Sequence, residues 1–174
     1  MKDIDFSTRD GFRRDELFAF DPRLERVVWL QGLDASGEYY FVQDGPLTAP
    51  LFREAILCFV NGQFLAAIAL GFSVIERSIA ARFNEVKQPK DAKLRAEQLL
   101  KKAQEQGWLS EIERANLERV RNLRNSIAHF KDPDDSTAMD MRGLMSGKDA
   151  YAALEKHAKN VLRAAAHILG KTGI

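Results

Sequence analysis

From Ala55 to Ile75 the chain carries no charged residue, and this run limits the fold more than any other stretch. Apolar segments of about twenty residues suit either a membrane span or a buried core. Here Asn61-Gly62-Gln63 interrupts the run and leaves two pieces, each too short to cross a bilayer. Its flanks, Arg53 and Glu54 before it and Glu76 and Arg77 after it, show no marked charge bias. The sequence therefore predicts two buried helices joined by a tight turn. Phe64 to Leu70 is apolar all round, the mark of a central helix.

The rest of the chain reads as helices around that pair. Arg9 to Phe20 is expected to be a short helix, with Phe12, Leu17 and Phe20 as apolar contacts. Residues 26–31 and 38–43 are rich in β-branched and aromatic residues, with Asp34-Ala35-Ser36-Gly37 between them, which predicts a β-hairpin. Thr48 is placed to cap a helix that begins near Pro50 and ends at Val60. Further helices are expected over about 63–85, 91–106, from Ser110 to before Asp132, and 148–169. Ser110-Glu111-Ile112-Glu113 is a capping box for the third of these, whose core stripe is read as Ile112, Val120, Leu123 and Ile127. The last helix turns Ala152, Leu154, Ala158, Val161, Leu162, Ala165 and Ile168 inward. The fold class is all-α: a bundle of four or five helices over 49–174, with residues 1–48 as an N-terminal segment holding the small β-hairpin.

A chain of 174 residues is sized for one domain, and a formal charge of +1 provides no global basic field. Nucleic-acid binding would therefore need a local patch. The single cysteine, Cys58, excludes an internal disulfide and reads as a small core residue. The charged N-terminus lacks the apolar stretch of a signal peptide, so the expected setting is the cytoplasm, with no membrane partner.

Chemistry concentrates in Arg121-Asn122-Leu123-Arg124-Asn125-Ser126-Ile127-Ala128-His129. Arg121, Asn125 and His129 recur every four residues and share a helix face. Arg124 lies about 140° from His129 on an ideal helix, a gap that a long arginine can close. A permanent guanidinium beside an imidazole that titrates near neutrality suits phosphate chemistry. A bland alternative exists at this level: Arg124 neutralises a partly buried Glu76, and His129 caps the helix C-terminus.

Arg-Asn-Ser-Ile-Ala-His late in a helix resembles the Arg-x4-6-His motif of the HEPN superfamily. The small residues Ala66, Ala67, Ala69 and Gly71, followed by Val74-Ile75-Glu76-Arg77, are similar to that family's second helix, which ends in an acid. The likeness covers about residues 50–170; residues 1–48 have no counterpart in it. It implies an HEPN-like bundle, a homodimer in which two motif helices form one cleft, and metal-independent RNA cleavage in a toxin–antitoxin or abortive-infection setting. RNA is then the substrate, an antitoxin or regulatory protein the partner class, and no cofactor or metal is needed. Arg124, Asn125 and His129 take the catalytic positions, with Glu76, Arg121 and Ser126 supporting. Phe130 stands where some members place a tyrosine nearby. The resemblance also implies an alternative, since some members are non-catalytic modules for dimerisation or for binding a nucleotide, RNA or protein.

Other candidates carry less. His157 and His167 are ten residues apart on the last helix, without an evident acidic partner, and are read as surface or rim residues. Asp132, Asp134 and Asp135 lack the glycine and glutamate of a calcium loop. Trp29, Tyr39, Tyr40 and Phe41 offer base-stacking surfaces, but hairpin packing is the expected role.

Overall fold

The computed structural model describes residues 9–33, 47–128 and 150–172, with side chains over 19–33, 47–125 and 151–170. These form six α-helices: α1 (Arg9–Gln31), α2 (Thr48–Val60), α3 (Phe64–Glu85), α4 (Ala96–Glu105), α5 (Glu111–Ala128) and α6 (Ala150–Thr172). A 3-10 turn, Asp91–Lys93, precedes α4. Among the described residues there is no strand, and the all-α class holds.

Helix α3 is the hub and packs against α2, α4, α5, α6 and the 3-10 turn. Phe72, Val74, Ile75 and Phe83 are fully buried on it. It is long and apolar enough to cross a membrane, yet half of its most apolar window is buried inside the bundle, as in a core helix. Neighbour contacts fix the directions. Phe64 meets Tyr151 and Gly71 meets Val161, so α6 runs parallel to α3. Phe83 meets Trp108 and Glu76 meets Arg124, so α5 runs antiparallel to both. Gly71 permits the close approach of α6, because a Cβ there would lie 2.7 Å from Val161 Cγ1.

The turn between α2 and α3 falls where the sequence placed it. Gly62 at φ 75° closes a helix-ending motif in which the Gly62 N–H donates to Phe59 O and the Gln63 N–H to Cys58 O. Tyr151 of α6 donates its hydroxyl proton to Gly62 O at 3.1 Å, tying the turn to the last helix. The capping box also forms: the Ser110 N–H donates to Glu113 Oε2 at 2.7 Å and the Glu113 N–H to Ser110 Oγ at 3.2 Å.

Several expectations are corrected. Residues 26–31 are not a strand of a hairpin but the last turns of α1, which extends through Pro22. Local β-propensity is overruled there by burial. Trp29 packs on Phe59 at 5.2 Å, while Arg26, only 7% exposed, donates from Nη1 to Val60 O at 2.7 Å and lies over the Phe64 ring. The second run, 38–43, lies outside the described residues. Phe20 is not a core contact but is 62% exposed; with Leu24, Val27 and Val28 it forms the outer stripe of α1. Thr48 opens α2 rather than capping it from outside; its side chain is fully buried and accepts from Arg77 Nε at 3.4 Å.

Ile112 is 75% exposed; Val120 is buried and Leu123 partly buried as read, Leu117 joins them, and the Ile127 side chain lies outside the described residues. Ile112 lies about 140° around the helix from Leu117, on a face that no described helix covers, so angular position decided against it. Ala152 is also exposed, while the other six residues read as inward on α6 are buried. The single helix expected over 91–106 is divided, because Leu94 and Arg95 are extended at ψ 153°. Leu94 thereby reaches the core and α4 starts afresh with Leu99, Leu100 and Ala103 buried.

Candidate functional site

The described part of the expected site is a chain of polar contacts crossing from α3 to α5. Glu76 lies midway along α3, between the buried Ile75 and Ser78, and its side chain turns toward α5. Its Oε2 lies 3.9 Å from Arg124 Nη2, with side-chain exposures of 27% and 30%. Arg124 Nη1 in turn donates to Asn125 Oδ1 at 3.2 Å. Burial pushes the Glu76 carboxyl above its ordinary pKa, and the Arg124 charge draws it back down. Glu76 thus holds Arg124 loosely, at the outer limit of an ion pair. The guanidinium keeps donor capacity for an oxyanion, since a fork of five N–H groups exceeds what one distant carboxylate and one amide use.

Of the remaining expected residues, only Arg121 has a described side chain. Arg121 turns away from Arg124, with Nη1 3.0 Å from Glu97 Oε2 on α4 and Nε 2.8 Å from Glu118 Oε2 on its own helix. Its charge is matched locally. Asn122 Oδ1 also accepts from Arg121 Nη2 at 3.3 Å. The backbone of Ser126 belongs to α5, while its side chain and all of His129 lie outside the described residues, as do Phe130 and Asp132, Asp134 and Asp135.

A second polar constellation went unnoticed in the sequence. His167, expected to lack an acidic partner, has Nε2 2.8 Å from Glu113 Oε1. The partner is 54 positions away and on another helix, so only the antiparallel packing of α5 on α6 reveals it. This pair closes one end of a groove of about 600 Å³ between the two helices. Leu109, Leu117, Val120, Ala164 and Ile168 supply its apolar surface. Arg119, Lys156 and Arg163 bring positive charge, and Asn116, Asn160 and His157 bring neutral polar groups. Burial, then the neighbouring Lys156 charge, holds the His157 imidazole below its ordinary pKa, so it is neutral at pH 7. A sequence signal did exist: Lys156, Asn160, Arg163 and His167 recur at i, i+4, i+7 and i+11 and so share one stripe of α6.

Cys58 is partly buried on α2, and burial, then the Glu54 charge, pushes its thiol pKa up, away from nucleophilic use. Trp29, considered as a stacking surface, packs on Phe59 with Lys159 and Arg163 over its ring. Among the described residues no group of three or more His, Cys, Asp or Glu side chains is arranged to hold a metal ion. No protein-family model, curated protein or solved structure matches this chain. The likeness to the HEPN superfamily accordingly rests on the motif residues and the α3 pattern alone.

Proposed function

We propose that this chain is a metal-independent RNA endonuclease of HEPN type, acting as a homodimer in a defence or toxin–antitoxin setting. The observation that carries the reading is the Glu76–Arg124–Asn125 array, whose Arg124 stands five residues before His129 in the chain. In the proposed reaction the ribose 2′-oxygen attacks the adjacent phosphorus and the bond to the 5′-oxygen breaks. His129 removes the 2′-proton, and the 5′-oxygen finally carries a proton in its place, so no co-reactant is consumed. Arg124 donates to the phosphoryl oxygens as negative charge builds, and Asn125 steadies Arg124. A nucleophile already attached to the substrate removes the need to activate water.

The test is incubation of the full chain with a mixed RNA pool, with and without chelator. Expected products end in a 2′,3′-cyclic phosphate and form equally with chelator, while DNA survives for lack of the 2′-hydroxyl. His129→Ala abolishes cutting. Arg124→Ala lowers it by about 10²-fold or more, the usual loss for a donor aimed at developing charge. Light scattering should give a dimer. Activity that disappears with chelator, or that survives in His129→Ala, overturns the mechanism.

The second reading, a non-catalytic HEPN-type module for dimerisation and for nucleotide, RNA or protein binding, is favoured by one observation. Arg121, expected to supply a second cation to phosphate, is engaged by Glu97 and Glu118. A broad RNA pool left uncut by fresh dimeric protein would make this the better reading.

A further inference from the structure

We infer that the groove between α5 and α6 binds a single-stranded nucleic acid through its phosphates and leads that strand toward Arg124. The argument begins with charge. The whole chain is nearly neutral at +1, yet among the described residues Arg119, Lys156 and Arg163 line one groove with a single carboxylate, Glu113. That carboxylate is occupied at both oxygens, one by the Ser110 N–H and the other by His167. The groove therefore presents a surplus of cations to whatever enters it, and Lys156 makes no ion pair among the described residues.

Shape and register favour an extended occupant over a compact one. Lys156, Asn160, Arg163 and His167 span about 16 Å along α6 at the α-helical rise and fall within about 60° of arc. Donors spaced along a line fit a chain of phosphates, and the apolar surface between them accepts sugars and base faces. On the opposite wall Glu113, Leu117 and Val120 recur at i, i+4 and i+7, and the next member of that series is Arg124. Arg124 stands about 6 Å beyond Val120 along the axis. Arg119 and Lys156 both lie at the end of the groove away from the Glu113–His167 pair, which is the end facing Arg124. The destination of the strand rests on the RNA-cleaving reading, whereas the binding itself is argued from the groove alone.

The test uses a fluorescein-labelled deoxythymidine octamer, which offers phosphates and bases but no 2′-hydroxyl to cut, read by fluorescence anisotropy with the full chain. Single-strand binding through three phosphates should weaken with a log–log salt slope of about −2, roughly 15-fold between 50 and 200 mM salt. Arg119→Glu, Lys156→Glu and Arg163→Glu should each weaken binding, and the triple variant should lose about 100-fold or more. Because Arg163 also lies over Trp29, Arg163→Gln and a circular dichroism melt accompany the set. A folded triple variant that binds the octamer as the parent does, or a parent that binds none, overturns the inference. So does equal competition by a polyglutamate peptide, which would mark a general polyanion surface. RNA cutting is measured beside it: an octamer bound but RNA uncut removes the nuclease reading and leaves the groove. RNA cut equally well by the triple variant removes the groove and leaves the nuclease.

Discussion

Glu76 shows how one side chain is asked for two opposing things. Burial favours its neutral form and Arg124 favours its charged form, and burial is the larger influence. A carboxyl whose folded pKa is raised contributes stability that is complete below its unfolded pKa and is lost as pH rises through the folded value. At pH 7 Glu76 therefore carries a net cost in folding, and a pair at 3.9 Å with partly exposed partners returns only about 0–1 kcal/mol. Glu76→Gln should be as stable as the parent or more so at pH 7, with the difference shrinking toward pH 4 in thermal melts. On the proposed nuclease reading, RNA cleavage should fall in the same variant, because Arg124 loses the charge that orients it. A Glu76→Gln protein less stable at pH 7 than at pH 4, relative to the parent, would mean that the ion pair outweighs burial.

Three helices end in the same left-handed closure, and they differ in how well the residue suits it. Gly62 at φ 75° ends α2 and Gly107 at φ 73° ends α4, but Lys87 at φ 60° ends α3. At Lys87 the N–H donates to Asn84 O and the following Gln88 N–H donates to Phe83 O, the same pair of bonds made at the two glycines. A residue with a Cβ is held there at a cost of about 1 kcal/mol, which glycine avoids. Lys87→Gly should therefore raise stability by roughly 1 kcal/mol, less whatever the lysine charge gives at a helix C-terminus. Urea titration should show a higher midpoint with an unchanged slope. A lower midpoint would show that Lys87 contributes more through its charge than it loses through its backbone.

For the molecule as a whole, α3 is enclosed by helices on several sides, whereas α1 is attached along one edge. Arg26 attaches it beside Trp29 and the partly buried Leu30. Its guanidinium caps the C-terminal carbonyl of α2 at Val60, where the helix dipole favours a cation, and lies 5.1 Å from the Phe64 ring centroid. Arg26→Met keeps an apolar stem but removes a charge-assisted hydrogen bond, which is worth about 1.5–3 kcal/mol. Hydrogen exchange should then quicken over α1 while the amides of α3 keep the parent protection. Equal quickening in both helices would mean that α1 and the bundle unfold as one unit.

Taken alone, the sequence determined the hub and its turn. An uncharged run broken by Asn61-Gly62-Gln63 admits few folds other than a buried helical hairpin. Local chemistry likewise determined the capping box at Ser110, because its partners lie three residues apart. The Glu76–Arg124 pair was legible for a different reason, as an acid that closes a long uncharged run in a buried helix needs a cation nearby. What only the tertiary structure decided involves competition between local preference and burial. Residues 26–31 have strand-like composition, yet Trp29 and Arg26 gain more against α2 as part of a helix. The His167–Glu113 pair and the cationic groove depend on which faces of α5 and α6 meet. That is fixed by packing around α3: periodicity puts Lys156, Asn160, Arg163 and His167 on one stripe of α6, but it does not say which residues of α5 that stripe meets.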